Sequence, residues 1–372
     1  MKIAIDIRSA GGMRAGKGAF TFNIVRELLK IDHKNHYLLY SDSGIAGFEE
    51  FKNAAFKIID KKGIFWHIKA ARDMKKEKVE LFISPSSYII PALSKIKSII
   101  VVHDLVAFLF PQSHLKKAVF IEKLLLKRAL KKASKIITVS ENTKKDLIEK
   151  FKIDEQKIVT IPCAASGNHS QLDSRVLPES DCELKGSDSR DGSAVLPAKF
   201  FLSVGTIEPR KNYETLIQAF AMFHKTNPEH HLIIAGKKGW GAIDLDELIT
   251  SNYLQKYVHI LGYITNKSLN KLYNQAQAFI FPSYYEGFGI PPLEALKCGC
   301  PVISSYTSSM PEVLGEAAIF CDPSQPAEFA KAMEKIVSDA NLRTELINKG
   351  RIQSNKFSWT SSAEKLKSNC YG

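Results

Sequence analysis

No apolar run in the sequence approaches the roughly 20 residues that a helical membrane span needs. The N-terminus, Met1-Lys-Ile-Ala-Ile-Asp6, reads as a strand interrupted early by a charge, not as a signal peptide. Cysteine is sparse. The six thiols (Cys163, Cys182, Cys298, Cys300, Cys321 and Cys370) show neither the pairing of a zinc site nor that of a redox pair. Cys298-Gly-Cys300 has the wrong spacing for both, so the expectation is reduced, structural thiols in a cytoplasmic protein. No cluster of histidine, cysteine and carboxylate predicts a metal, so neither a metal nor another cofactor is expected. The dinucleotide fingerprint is missing, because Thr21 stands where its third glycine belongs, and no Gly-Lys-Ser/Thr marks a P-loop. No aromatic-rich basic strand or recognition helix is present, so nucleic acid is not an expected partner.

What is present is a chain of 372 residues, long enough for two domains with their own cores, with 45% hydrophobic and 24% charged residues. The net charge of +13 is unevenly placed. Residues 1–160 hold 31 Lys/Arg against 17 Asp/Glu, and residues 161–372 hold 21 against 22. One half is strongly basic and the other neutral. An anionic membrane, nucleic acid or an anionic substrate would suit such a surface.

Short β-branched runs alternate with amphipathic stretches throughout. Ile3–Ile7, Tyr37–Tyr40, Leu81–Ile83, Ile99–Val102 and Ile136–Val139 have strand character, with helical patterns near Ala19–Leu29, Trp66–Lys76, Leu115–Ala133 and Asn142–Phe151. The second half repeats this with strands at Phe200–Val204, Leu232–Ala235, Val258–Leu261, Ala278–Phe281, Val302–Ser304 and Ala318–Phe320. Its helical patterns are Tyr213–His224, Ser268–Ala276, Pro291–Lys297 and Ala327–Asp339. Such alternation predicts an α/β protein of two successive parallel-sheet, Rossmann-like domains. The expected division is 1–162, a polar exposed connection at 163–198, 199–354, and a final helix in 355–372 that returns to the first domain.

The most informative segment is Glu286-Gly-Phe-Gly-Ile-Pro-Pro-Leu-Glu294. Two carboxylates flank a glycine turn and a Pro-Pro pair suited to a first helical turn. The helix N-terminus favours an anion and the carboxylates favour hydroxyls, which fits a polyhydroxylated phosphate ester. A strand–loop–helix junction with capping glutamates has the same spacing. Gly205-Thr-Ile-Glu-Pro-Arg-Lys-Asn212 follows a strand, where Arg210 and Lys211 offer positive charge for phosphates or simply form a solvated turn. Gly11-Gly12-Met-Arg-Ala-Gly16-Lys-Gly18 allows close approach to an anion after the first strand. His103-Asp104 ends another strand, fit either for a substrate hydroxyl or for structural hydrogen bonds. Asp244-Leu-Asp246 is better read as a helix cap than as a metal ligand pair.

At about 100° per residue, the helix Leu115–Ala133 places Lys116, Lys117, Lys123, Lys127, Arg128, Lys131 and Lys132 on one half, with Phe120 and Leu124 among them. Ala118, Ile121, Leu125, Leu126 and Ala129 lie opposite. Such a helix suits a domain core on one side and anionic lipid on the other, or is a solvated lysine face.

Together, Glu286–Glu294, the Glu208-Pro-Arg-Lys-Asn212 loop, His103-Asp104 and Val139-Ser-Glu-Asn-Thr143 resemble a family-four retaining glycosyltransferase of the GT-B fold. The likeness is most specific at Phe281-Pro-Ser-Tyr-Tyr-Glu-Gly-Phe-Gly289 and Met310-Pro-Glu-Val-Leu-Gly315, and spans nearly the whole chain outside 163–198. It implies two domains facing across a cleft and sugar transfer from a nucleotide diphosphate with the anomeric configuration kept. By the same resemblance, Glu286 serves donor-sugar hydroxyls and Glu294 the ribose. The amides of Phe288, Gly289 and Ile290 hold the sugar, and Arg210 and Lys211 the diphosphate, approached also by Gly12. Gly262 and Ile264 border the base, His103 joins Glu286, Arg210 and Lys211 as a catalytic residue at the sugar and acceptor side, and Asp104 lies on the acceptor side. Thr206 stands where many relatives carry arginine, leaving that load to Arg210 alone, and Cys163-Ala164 replaces a common Asn-Gly pair. Similarity to mannosyltransferases implies GDP-mannose as donor. It also implies a saccharide or lipid-linked acceptor of O-antigen or capsule type, at the inner face of the plasma membrane. A UDP-sugar epimerase and a non-catalytic nucleotide-sugar binder are the alternatives.

Overall fold

A computed structural model describes residues 1–12, 16–110, 116–165, 196–239, 241 and 243–371. The expected roles of Lys116, Lys117, Ala118, Phe120 and Ile121, and most of the 163–198 connection, fall outside the described residues and side chains. The chain divides into two compact units. One is built from Met1–Pro111, Leu115–Ala164 and Phe357–Gly372, the other mainly from Ala165–Lys356.

The first unit holds seven parallel strands: β1 (Lys2–Asp6), β2 (His36–Ser41), β3 (Ala54–Ile58), β4 (Leu81–Ser84), β5 (Ser98–Val102), β6 (Lys135–Thr138) and β7 (Ile158–Thr160). Their order is β3-β2-β1-β4-β5-β6-β7. Chain order therefore reverses between β1 and β4. β3 and β7 are absent from the sequence reading, since β3 is a half-buried edge and β7 has three residues. Ser140 caps the following helix Glu141–Phe151, its side chain accepting from Thr143 N at 3.1 Å. The helix expected from Ala19 starts at Lys17, just after Gly16. Cys163, Ala164 and Ala165 are buried, correcting the expectation that the exposed connection begins at 163.

Strand register separates the two faces of this sheet. Ala4 pairs with Phe82 and Ser84 with Ile100, which puts these side chains on one face. There Trp66, Ala70 and Met74 of the helix Gly63–Lys76 and Leu126, Ala129 and Leu130 of the helix Lys116–Lys132 complete the packing. Ile5, Ile83, Val101 and Ile137 face the other way, against Phe20, Ile24 and Leu28 of the helix Lys17–Ile31 and Leu366 of the last helix, Trp359–Cys370. That last helix is capped by Ser358 and tied down by polar contacts. Thr360 donates to Glu27 at 2.9 Å, Lys367 Nζ lies 3.5 Å from Asp32, and the Tyr371 and Tyr37 hydroxyls meet at 3.1 Å.

The second unit has six parallel strands: β8 (Phe200–Val204), β9 (His231–Ala235), β10 (Val258–Gly262), β11 (Phe279–Phe281), β12 (Val302–Ser305) and β13 (Ala318–Cys321). The order is β10-β9-β8-β11-β12-β13, reversing between β8 and β11. Leu216, Phe220 and Phe223 of the helix Tyr213–His224 pack with Phe329 and Met333 of the helix Pro326–Ser338 in its core. The helix Ala340–Ser354 has no counterpart in the sequence reading, because its apolar residues are few and form no clear stripe. No helix among the described residues is long and apolar enough to cross a membrane.

Replacing Leu366, 3% exposed, with alanine is expected to cost about 2–4 kcal/mol. Urea unfolding followed on the first unit checks this, with an unchanged midpoint as the contrary result.

Candidate functional site

In an open parallel sheet the loops at the strand carboxyl ends, at the point of chain reversal, form the usual ligand crevice. In the second unit that point lies between β8 and β11, and the two sequence segments singled out above are the loops that follow these strands. They are welded together. Tyr284 N donates to Arg210 O at 2.8 Å, and Arg210 Nη1 donates to Tyr285 O at 3.0 Å. Asn212 adopts a left-handed conformation (φ 58°) and donates to Pro282 O at 3.0 Å and Pro323 O at 2.7 Å. One side chain thus links the ends of three strands, and asparagine tolerates the φ this requires.

At the centre, Glu286 receives both cations. Lys211 Nζ donates to Oε1 at 2.5 Å and Arg210 Nη1 lies 2.8 Å from Oε2. The second Arg210 terminal nitrogen sits 2.7 Å from Glu208. Glu286 and Lys211 are buried. Burial alone would raise the Glu286 pKa, but Arg210 and then Lys211 outweigh it and hold the carboxyl down at about 2. Burial, with Arg210 alongside, keeps Lys211 below the ordinary lysine range, against the pull of Glu286. The cluster is formally neutral, two carboxylates to two cations. Arg210 and Lys211, expected to stand ready for phosphate, are therefore already engaged.

The Glu286 backbone is fixed as well. Its N–H donates to Ser308 Oγ at 2.9 Å, while Ser309 Oγ donates to Glu286 O and Phe288 O, each at 3.0 Å. Gly289 then turns at φ 95° into the helix Ile290–Lys297. A β-carbon there would displace the flexible end of Met310, and the positive φ is what favours glycine. Phe288 is buried and Ile290 half-buried beside it. Glu294, buried one turn into that helix, accepts from Tyr273 at 3.4 Å, a partner separate from the cation pair. Gly262 ends β10 and accepts from Gly236 N at 2.8 Å, followed by half-buried Ile264. Asp244 accepts from Asp246 N and Glu247 N, at 3.1 and 3.2 Å, which makes it a helix cap. Sequence reasoning passed over Glu208, Asn212, Tyr273, Ser308 and Ser309. Only Glu208 and Asn212 carried a signal, as members of the quoted loop.

The first unit brings its expected residues to the ends of its own strands. Gly12 lies exposed in the loop after β1, while the loop residues 13–15 are outside the described set. His103 follows β5, buried, with Nε2 donating to Pro85 O at 2.7 Å and the Phe20 ring edge-on at 5.0 Å. Burial, aided by Lys17, lowers its pKa to about 4. Asp104 accepts from Val106 N at 3.1 Å. The bond to Pro85 O is one of the two uses that the sequence left open for His103.

Residues 187–353 match the glycosyl transferases group 1 family and residues 15–166 match Glycosyltransferase Family 4. O-antigen chain mannosyltransferase B of Escherichia coli is 30% identical over 306 residues, covering 82% of this chain and 76% of that protein. The chain belongs to the family-4 glycosyltransferases. A serotype-specific mannosyltransferase, WbdA of Escherichia coli, is 31% identical over 271 residues, which is 72% of this chain but 32% of that longer protein. Among solved structures, sucrose-phosphate synthase of Thermosynechococcus elongatus superposes with a TM-score of 0.76 at 18% identity, over 98% of this chain and 97% of that one. The fold is GT-B. This family-4 member is a glycosyltransferase, in agreement with the resemblance read from its motifs.

His103 is held neutral in the folded chain, whereas an unfolded histidine titrates near 6.5. As pH falls below that value the unfolded state gains a proton that the native site refuses, so stability drops until about pH 4. The expected loss is on the order of 1–3 kcal/mol. Melting scans from pH 8 to 4.5 should show a shallower fall for His103→Gln, and parallel curves would remove His103 as a source.

Proposed function

We propose that this glycosyltransferase moves mannose from GDP-mannose to a lipid-linked saccharide of a cell-surface polysaccharide, with retention and without a metal ion. The Glu286-centred pair of cations at the β8/β11 reversal carries the reading, supported by the mannosyltransferase names of its relatives. In the reaction the bond between the anomeric carbon and the β-phosphate oxygen breaks, and the acceptor oxygen bonds to the same carbon from the same face. The acceptor proton passes to the leaving phosphate. Charge building on that phosphate needs fixed positive groups, which Arg210 and Lys211 supply without reorganising solvent.

At rest those cations are neutralised by Glu286 and Glu208. An arriving diphosphate competes with Glu286 for the same N–H donors, and the sugar hydroxyls offer that carboxylate new partners. Glu286 thus acts as a placeholder for phosphate before binding and as a hydroxyl acceptor after it. Glu294 takes the ribose, Phe288, Gly289 and Ile290 the sugar through their amides, and Gly262 and Ile264 the base. Gly12 belongs to the diphosphate-binding set, and His103 and Asp104 to the acceptor-binding one. A lipid-linked acceptor also calls for peripheral attachment at the cytoplasmic face of the membrane, with the basic helix 115–133 as one contact.

Lys211→Ala and Glu286→Gln should each lower kcat by about 100-fold or more if these groups act in the transition state. Losses confined to KM would leave them as ground-state contacts only. In a thermal-shift series, GDP and GDP-mannose should raise the melting temperature above UDP, ADP and dTDP counterparts. A preference for another base overturns the donor, and an inverted anomeric proton signal in the product overturns retention. Turnover lost to a chelator and restored by a divalent ion would overturn metal independence.

A further inference from the structure

The first unit's sheet is covered unequally. Ile64, Phe65 and Ile68 are 47%, 69% and 42% exposed on the helix Gly63–Lys76. Leu93, 55% exposed, ends the helix Ile89–Leu93, and Leu124, 62% exposed, lies on the helix Lys116–Lys132. All three helices pack on the sheet face that carries Ala4, Phe82 and Ile100. The opposite face, under the helices Lys17–Ile31 and Trp359–Cys370, shows no exposed large apolar side chain among the described residues.

The helix Gly63–Lys76 is apolar on two sides. Trp66, Ala70 and Met74 are buried at i, i+4 and i+8, which accounts for its docking on the sheet. Phe65 and Ile68, at i and i+3, form a short second apolar stripe that is exposed. Exposed Lys61, Lys62, Lys69 and Arg72 surround that stripe. Of the nearby acids, Asp73 accepts from Tyr40 at 2.9 Å and Glu77 holds Lys57 at 2.5 Å and Lys2 at 3.3 Å, while exposed Asp60 stands beside Lys61. Between this helix and β3 lies an open groove of about 470 Å³, lined by Lys57, Ile58, Lys69, Arg72 and Lys76, among others. Around Leu124 the exposed neighbours are Lys127, Arg128, Lys131 and Lys132. Lys132 Nζ donates to Ser94 O at 3.1 Å, linking this helix to the segment just after Leu93.

We propose that these three helices form one docking surface for an anionic lipid bilayer, with Phe65, Ile68 and Leu124 entering the interface and the lysines and arginines pairing with lipid phosphates. Lysine is depleted from protein–protein interfaces, whereas apolar side chains ringed by Lys and Arg are what a negatively charged leaflet selects. The inference deepens the lipid-linked-acceptor reading by assigning membrane contact to a whole sheet face led by the helix Gly63–Lys76. Vesicle binding needs neither donor nor acceptor, so its outcome is separable from that of the transfer assay.

The test is co-sedimentation of the full chain with vesicles of phosphatidylcholine alone or mixed with phosphatidylglycerol, at low and high salt. Wild type should partition to the anionic vesicles and be released by salt. Lys69→Glu/Arg72→Glu should weaken binding by roughly 30-fold or more. Phe65→Ser/Ile68→Ser, checked for an unchanged melting temperature, should weaken it by at least about tenfold. Lys365→Glu, on the opposite face, should bind like wild type. Equal recovery with neutral vesicles, or wild-type binding by both double variants, overturns the proposal. So does a wild-type dimer in sedimentation velocity that Phe65→Ser/Ile68→Ser dissolves, since the stripe would then be covered by a second copy.

Discussion

The buried pairing of Glu286 with Arg210 and Lys211 is the constraint around which the second unit's site is arranged. A carboxylate removed from water is unfavourable alone, and so is an ammonium beside a guanidinium. Each becomes tolerable only through the others, which forces the loops after β8 and β11 to hold one mutual geometry. The surrounding contacts serve that end. Asn212 ties both loops to the end of β13, Ser308 and Ser309 fix the Glu286 and Phe288 backbone, and Gly289 lets the chain turn beneath Met310. Such a cluster need not stabilise the protein in net terms, since a well-packed apolar replacement would do as well. Its value is positional: two cations and one acceptor held in place before any ligand arrives.

On the proposed function, a neutral cluster would let one site accept a polyanion and remain stable without it. Two unpaired buried cations would be costly, while two cations permanently sequestered would be useless. A carboxylate that can exchange cations for hydroxyls resolves the conflict, provided the ligand presents both groups at once. A nucleotide sugar does so, joining diphosphate and hydroxylated ring in one molecule. Free phosphate offers the first without the second.

The first unit divides its labour by sheet face. One face is sealed by the first and last helices, with Tyr37, Asp32, Lys367 and Tyr371 as a polar clasp over an apolar seam. The other is covered by helices whose outer surfaces are basic and partly apolar. The +14 balance of residues 1–160, diffuse when read along the chain, thereby includes two concentrations on a single side. Helix periodicity offered this for residues 115–133, and among the described side chains Leu124, Lys127, Arg128, Lys131 and Lys132 are exposed as it required. It did not show it for Gly63–Lys76, because Phe65 and Ile68 look like core residues until Trp66, Ala70 and Met74 are seen to occupy that role.

Most of the fold was legible because parallel α/β sheets write themselves as short apolar runs separated by amphipathic helices, a strong local signal. Among the described residues eleven of the thirteen strands were readable, and the two exceptions are a half-buried edge and a three-residue strand, where too few side chains meet the core to leave a pattern. Ala340–Ser354 escaped for the same reason. Local chemistry alone also settled the residue types at the site: a glycine turn before a Pro-Pro helix start, adjacent cations after a strand, a carboxylate on either side of the turn. Tertiary structure decided what those groups do to one another. That Arg210 and Lys211 rest on Glu286 and not in solvent, that Glu294 pairs with Tyr273, and that His103 donates to Pro85 O all depend on contacts between residues far apart in the chain. Only packing sets burial, and burial decides whether a charge is screened by water or must find a partner.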